Sequence, residues 1–548
     1  MPAEKGEVGT PEPAAARAGP AAPRTTVDVD GLEHRIAPVP VEAGRYSGLA
    51  ATKHGLVWLR EPLLGELGDN RATVDAEPER ARVEHFDLRT LKLCTVVAKA
   101  ERIEITGDGS RLLVVDQDRL TVVPSDKPAP KDDDDEDVLQ VNLDRLRVEV
   151  DPPVEWRQML DETWRLMRDH FWREDMGGVD WRAARDRYEP MLDRLGSHDD
   201  LIDVIWEMHG ELGSSHAYAI PPRTPADADR RQGLLGADLE YAGDAWRISR
   251  IVPGDASDPK ARSPLLSSGV NARAGDQILA VDGQRTSRTT SPLSLLVGMA
   301  GKPVELTLQP RAGADVRRVV VVPVADELPL RYQDWVTDRR NYVHAQTEGR
   351  VGYLHVPDMM SLGWAQMHRD LRTEMPRDAL ILDVRSNGGG HTSQLVLEKL
   401  ARKVIGWDLV RGYAPGSYPS DARRGPLVTI ADMFAGSDGD IITAGIQSLG
   451  LGPVVGTRTW GGVVGIDGRY TLVDGTMVTQ PRYSFWFEKF GWGVENYGVD
   501  PDIEVPVTPQ DRVACNDVQL DRALAEVARL LKRTPPVDPP VIPDLPVP

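Results

Sequence analysis

Ala379-Leu-Ile-Leu-Asp-Val-Arg-Ser-Asn-Gly-Gly-Gly390 opens on an apolar run and closes on three successive glycines. A short apolar run bounded by turn residues reads as a buried strand. A helical stretch from about residue 392 to 405 follows the glycines. A second unit of the same kind comes next: the run Leu427-Val-Thr-Ile-Ala431, a tight turn, and a helix beginning near Gly439. With Val351-Gly-Tyr-Leu-His-Val356 ahead of them, strands and helices alternate from about residue 328 onward. This predicts α/β organisation over 328–534.

Upstream, Gly233-Leu-Leu-Gly236 precedes a strand, and Gly269-Val-Asn-Ala-Arg-Ala-Gly-Asp-Gln-Ile-Leu-Ala-Val-Asp-Gly283 follows. Residues 229–327 read as five or six short strands and a helix. They resemble a PDZ domain, in which a Gly-Leu-rich loop offers N–H groups to a peptide carboxylate and the adjoining strand edge pairs with the peptide. Before that, Trp156, Met159, Leu160, Thr163, Met167, His170 and Phe171 recur at helical spacing after Pro152-Pro153, which predicts a core-facing helix. Further helices are expected from about residue 181 to 195 and from 197 to 212, the last ended by Gly213. Residues 139–228 thus form an expected helical subdomain.

Short alternating runs between 27 and 125, such as Gly55-Leu-Val-Trp-Leu59 and Arg111-Leu-Leu-Val-Val115, predict β structure, with Ile103 to Val123 reading as one propeller blade. Roughly two blades fit where a closed propeller needs about four or more, so a propeller remnant is expected. An acidic linker at 126–138, a disordered tail at 1–26 and a Pro-rich extended tail at 535–548 complete the plan.

The chain has 548 residues, 41% hydrophobic and 27% charged, the profile of a multi-domain globular protein. Apolar stretches are too short for a membrane span, and the first residues carry no signal-like apolar core, so cytoplasmic residence is expected. Cys94 and Cys515 are too far apart to form a metal cluster, and they suit a reducing compartment. With 85 acidic against 65 basic residues the formal charge is -20, which repels nucleic acid and anionic membranes; it would draw in cationic peptides or simply maintain solubility.

In Ala435-Gly-Ser-Asp-Gly439 a serine sits between strand and helix among residues small enough for a sharp turn, which exposes Oγ beside a helix N-terminus. Ala435 replaces the first glycine of G-x-S-x-G, and taken alone Ser437 also reads as a helix N-cap. An acyl-transfer serine needs two oxyanion donors, and the Asp438 amide with that of Gly390, or of Gly389, would supply them. The base must be neutral near pH 7, hence a histidine. His170 lies on a helical core stripe and His355 within a strand. Gly213-Ser-Ser-His-Ala-Tyr218, by contrast, sets His216 in a polar turn, where loops present catalytic groups. Ser215 with a carboxylate such as Glu495 could fix its tautomer, although the residues alone do not select Glu495 among the acids.

The segments GSSHAY, DVRSNGGGHTS, AGSDGD, GTRTWGGVVGI and VENYGVDPDIEV, in that order and with the PDZ-like segment between the first two, resemble the tricorn protease family over about residues 140–534. The resemblance implies a serine peptidase with a crotonase- and ClpP-like catalytic subdomain. By it Ser437 is the nucleophile, His216 the base, Ser215 and Glu495 complete a Ser-His-Ser-Glu tetrad, and Gly390 and Asp438 form the oxyanion hole. Asp408 sits at about the position of an acid that attracts basic P1 side chains, a role that depends on subunit packing. Substrates would be oligopeptides, those released by a proteasome among them, and assembly a homo-oligomer such as a ring-like hexamer. Family members carry two propellers ahead of the catalytic part, so this chain is expected to be a fragment or a short paralogue. No metal or organic cofactor is implied. Carboxyl-terminal processing proteases pair a PDZ domain with a similar core but use a Ser/Lys dyad, and no lysine lies between Lys403 and Lys489. A catalytically idle peptide-binding scaffold is the alternative of another class.

Overall fold

The computed structural model describes residues 28–31, 34–35, 37–62, 80–130, 132, 135–222, 230–255, 258, 261–311, 313 and 315–542. The expected tail at 1–26 lies outside these residues, as do Lys131, Asp133 and Asp134 of the acidic run and the last six residues. Described residues up to Arg145 form one compact unit, and those from Leu146 another. Among the described residues no helix is long and apolar enough to cross a membrane.

The first unit holds two four-stranded antiparallel sheets, each paired in chain order. Arg45–Ala51, Gly55–Glu61, Ala81–Asp87 and Lys92–Ala100 make one; Arg102–Ile105, Arg111–Asp116, Arg119–Pro124 and Leu139–Val141 make the other. Alternate residues Val57, Leu59, Val83, Leu112 and Val114 fill their common core, as period-2 strands require. The last strand corrects the expected boundary at 125. Leu139–Val141 pairs with Arg119–Pro124, so the acidic segment is an excursion within a sheet and not a linker after it. Asp137 anchors its return by pairing with Lys127 at 2.6 Å and Arg111 at 3.5 Å.

The second unit opens with the helices Pro152–His170, Trp181–Tyr188 and His198–Gly210. Met159, Leu160, Met167, Leu201, Ile205 and Met208 are fully buried between them, each burial contributing about 1.5–3 kcal/mol. The second helix stops earlier than expected because Pro190 has no N–H to continue it, and residues Glu189–Arg194 tighten into a 3-10 turn. His170 is half-buried and stacks on Tyr470.

The PDZ-like segment is an antiparallel sheet with strands in the order Ala237–Ala242, Ala245–Ile251, Gln277–Val281, Val304–Gln309, Arg317–Val321. Its Gly-Leu-rich loop differs from expectation, because three of its four N–H donors are already engaged. Gly233 N–H donates to Leu296 O and Leu234 N–H to Val324 O, both at 2.8 Å. Gly236 N–H donates to the Glu327 carboxylate at 2.7 Å.

The remaining chain builds a five-stranded parallel sheet in the order Val351–His355, Ala379–Asp383, Leu427–Ala431, Val454–Gly456, Ile503–Glu504. The first three strands are buried at every residue, as expected of a sheet covered on both faces. Tyr353, Ile381 and Ile430 point to one face, against the helices Leu328–Gln346 and Val518–Leu531. Leu354, Leu380 and Leu382 point to the other, against Ser361–Glu374, Ser393–Ala401 and Asp438–Ser448. The helix expected to reach residue 405 ends at Ala401, where Arg402 turns extended. Asp408 therefore lies in an exposed hairpin, Gly406–Asp408 with Gly416–Tyr418. Of the Pro-rich tail, Val537 is tied to Arg424 through N–H and O contacts of 2.8 and 2.9 Å.

Beneath the sheet edge, Arg385 donates to Asp383 at 2.6–3.1 Å and to Asp517 at 2.8 and 3.0 Å, and Tyr353 Oη–H donates to Asp383 at 2.8 Å. Asp383 is wholly buried, so removing its cation strands a charge in a low-dielectric interior. Arg385→Met is expected to cost this unit about 3–5 kcal/mol, read as a lowered denaturant midpoint for loss of helical circular dichroism. A change under about 1 kcal/mol would show that the ion pair is not what holds this edge.

Candidate active site

Ser437 ends the turn after the strand Leu427–Ala431 and directly precedes the helix Asp438–Ser448. It occupies the N-cap position but does not cap: its side chain accepts no helix N–H, and its φ of 55° and ψ of -118° are strained. Such a backbone costs of order 1–3 kcal/mol and persists only where surroundings impose it. Here they do. A Cβ on Gly389 would lie 2.6 Å from the Ser437 Cβ, one on Gly436 would lie 2.8 Å from the Trp460 ring, and one on Gly390 (φ +147°) would lie 2.1 Å from Met359 O.

His216, also at positive φ (62°), is 6% exposed. Thr479 holds its backbone, donating from Oγ1 to His216 O at 2.6 Å and accepting from Tyr218 N–H at 2.8 Å. His216 Nδ1 lies 2.9 Å from Ser215 Oγ. Ser215 Oγ–H donates to Glu495 Oε2 at 3.1 Å and Ser215 N–H to Oε1 at 2.7 Å. Val463 and Val464 N–H complete the Glu495 environment at 2.7 and 3.0 Å. A serine hydroxyl has one proton. Since Ser215 gives that proton to Glu495, it can only accept from Nδ1–H of His216, which leaves the Nε2 lone pair as the basic site.

Burial pulls the His216 pKa below its ordinary value, outweighing the opposing charge of Glu495. His216 and Ser437 line one cleft of about 640 Å³ together with Tyr218, Met360, Gly390, Phe434, Trp460 and Ile466. No hydrogen bond joins the two among the described residues; such contacts commonly tighten only when the reacting group arrives.

The glycine turn resolves which amides are free. Gly388 N–H donates to Pro357 O and Gly389 N–H to Asn387 Oδ1, both at 2.9 Å. Neither Gly390 nor Asp438 N–H has a protein acceptor among the described residues. This favours Gly390 over Gly389. The Asp438 side chain is buried and engaged elsewhere, accepting from Ser393 N–H at 2.9 Å and from the Ser393 hydroxyl.

The structure therefore joins Ser215, His216 and Glu495 in one chain of contacts and sets Ser437, Gly390 and Asp438 beside it. It does not bring Asp408 into the cleft of its own chain. The sequence reading missed Trp460, whose ring meets His216 edge-on at 5.7 Å and 83°, and Asp440. The latter is fully buried and accepts from the Thr459 hydroxyl and from Gly461 and Gly462 N–H at 2.8 and 3.2 Å. Burial nevertheless pushes its carboxyl up to about 6. The available signal was a second acid two residues after Asp438, in a helical turn that is otherwise small or apolar.

Residues 152–210, 233–326 and 350–505 match, respectively, the Tricorn protease C1 domain, the Tricorn protease PDZ domain and Peptidase family S41. Tricorn protease homolog 1 of Streptomyces coelicolor is 57% identical over 95% of this chain and 49% of its own length. The Tricorn protease of Thermoplasma volcanium is 34% identical over 92% of this chain and 48% of its own. A crystal structure of the tricorn protease superposes with a TM-score of 0.83 at 34% identity, covering 90% of this chain and 47% of that one. The chain spans about half the length of these relatives. By its three matched domains, their order and its superposition, the chain belongs to the tricorn protease family.

Proposed function

We propose that this chain is a serine peptidase that hydrolyses oligopeptides through a Ser-His-Ser-Glu tetrad and an acyl-enzyme. The observation that carries the reading is the continuous line of contacts from Glu495 through Ser215 to His216 Nδ1, ending in the cleft that Ser437 lines. His216 Nε2 takes the Ser437 proton as Oγ attacks the scissile carbonyl. The Gly390 and Asp438 N–H groups stabilise the tetrahedral oxyanion, and His216 protonates the leaving amine. Water, deprotonated by the same histidine, then releases the acid.

On this reading the two sheets of the first unit are blades of a β-propeller, and the chain works in the cytoplasm as a homo-oligomer such as a hexamer, on peptides such as those a proteasome releases. The exposed hairpin would carry Asp408 to the cleft of a neighbouring copy, where it attracts basic side chains. Ile405, Leu409, Val410, Tyr413 and Tyr418 are the large apolar residues exposed in and beside it for that packing.

Digestion of a peptide library, with cleavage sites read by mass spectrometry, should show cuts by the wild type and a loss of about 10⁶-fold in kcat for Ser437→Ala. Turnover retained by that variant would remove Ser437 from the reaction. The base must be neutral, and its pKa is lowered from 6.5 by burial. Activity should therefore persist as pH falls through 6.5, with the acidic limb of kcat/KM centred lower. A midpoint above 6.5 would contradict His216 as the base.

A further inference from the structure

Asp440 does not line the cleft, yet its contacts reach both ends of the relay. It sits in the first turn of the helix that follows Ser437 and accepts hydrogen bonds from Thr459, Gly461 and Gly462. The segment it holds is the one that serves His216 and Glu495. Trp460, between two of those donors, covers the His216 ring edge-on, and its own N–H donates to Ala435 O at 3.0 Å. The next two amides, Val463 and Val464, donate to Glu495 Oε2. Gly461 O accepts from Asn496 N–H at 2.7 Å, one residue beyond Glu495.

Residues 459–464 are thus suspended between two carboxylates, with successive peptide groups donating to Asp440 on one side and to Glu495 on the other. Backbone bonds to Ala435, Val499 and Asn496 also tie it, and Val463 is buried, but its two glycines admit no side chain. A Cβ at Gly461 (φ +95°) would lie 2.6 Å from Gly498 N, and one at Gly462 would lie 2.2 Å from the Trp460 ring, so no side chain there can pack to hold it. An amide replaces the carboxylate only in part: Asn has one acceptor oxygen, and with that kept toward Thr459 and Gly461 its NH2 faces the Gly462 N–H, donor against donor.

We propose that Asp440 is a positioning residue for the peptidase reaction, holding the segment 459–464 so that Trp460 stays against His216 and the Val463 and Val464 amides stay under Glu495. The inference rests on the tetrad reading above. Because Asp440 acts through the segment and does not touch substrate, its loss should appear in kcat and not in KM.

The test is Asp440→Asn in the full chain, assayed with a fluorogenic peptide and with a fluorophosphonate probe that labels an activated serine. The expected result is a kcat lower by about 10²-fold, the cost of a small misplacement of reacting groups. Labelling of Ser437 should slow in parallel while KM stays within about twofold. Glu526→Gln disturbs a different buried carboxylate, one paired with Arg522 and Arg529, and should leave both rates unchanged. Should Asp440→Asn fail to fold, Thr459→Val, which deletes the hydroxyl that donates to Asp440 and accepts from Val499 N–H, should lower kcat, and Thr459→Ser, which restores that hydroxyl, should recover it. Wild-type kcat in Asp440→Asn or Thr459→Val, or a loss confined to KM, overturns the proposal. A wild type that neither cleaves peptide nor labels overturns the peptidase reading first, and this inference with it.

Discussion

The contact between two turns, Gly389 against Ser437, governs the geometry of the cleft. It arises from strand register. Ala379–Asp383 and Leu427–Ala431 pair in parallel from Leu380 with Leu427 to Asp383 with Ile430, so both strands deliver their following turns to the same carboxyl edge, where parallel sheets place their sites. The turns then cross-link. Gly436 N–H donates to Asn387 O at 3.0 Å, and Ser393 N–H donates back to the Asp438 carboxylate at 2.9 Å. These bonds hold Ser437 in its strained backbone and leave the Gly390 and Asp438 amides without protein acceptors among the described residues. Bulk at residue 389 would push the two turns apart and relax both features at once.

The second half of the site comes from far away in the chain. Ser215 and Glu495 are 280 residues apart, and Thr479 reaches back 263 residues to His216. Loop-closure entropy grows only logarithmically with length, so such a separation costs little more than a short one. What the junction needs is good local bonding at each end. It has this in the Thr479 contacts to the histidine backbone and in the four donors around Glu495. A histidine loop from the helical subdomain can therefore be held against a cleft built by the parallel sheet.

Local pattern carried most of the fold in the sequence. Continuous apolar runs marked the buried parallel strands, the spacing of Met159, Leu160 and Met167 marked the first helix, and three glycines marked the turn that must approach Ser437 closely. The remainder depends on which distant segments meet, which period and propensity do not encode. Nothing near Glu495 in sequence distinguishes it from other acids; its role follows from the loops that fold around it. The same holds for Gly236, whose N–H is occupied by Glu327, the residue before a helix and 91 residues later, and for Asp440, whose partners lie 19–22 residues away. The hairpin that carries Asp408 was not legible for a local reason, since the helix before it ends four residues early and the chain re-emerges as a strand pair.

Interposing a serine between imidazole and carboxylate changes the electrostatics of the base. Where a carboxylate touches a histidine directly, its charge favours the imidazolium and raises the pKa. Here the nearest charged oxygen is one hydroxyl further off, and its pull on His216 is smaller than the cost of burying the ring. Tyr218 and Trp460 pack beside the imidazole, each with its ring centre 5.7 Å from it. The result on the proposed reading is a base that is neutral and available at pH 7, held in one tautomer by a hydroxyl whose only proton is given to Glu495. The relay then works chiefly by orientation. The charge of Glu495 acts through Ser215 to fix which nitrogen carries the proton, and the apolar rings decide how readily that nitrogen's partner accepts another.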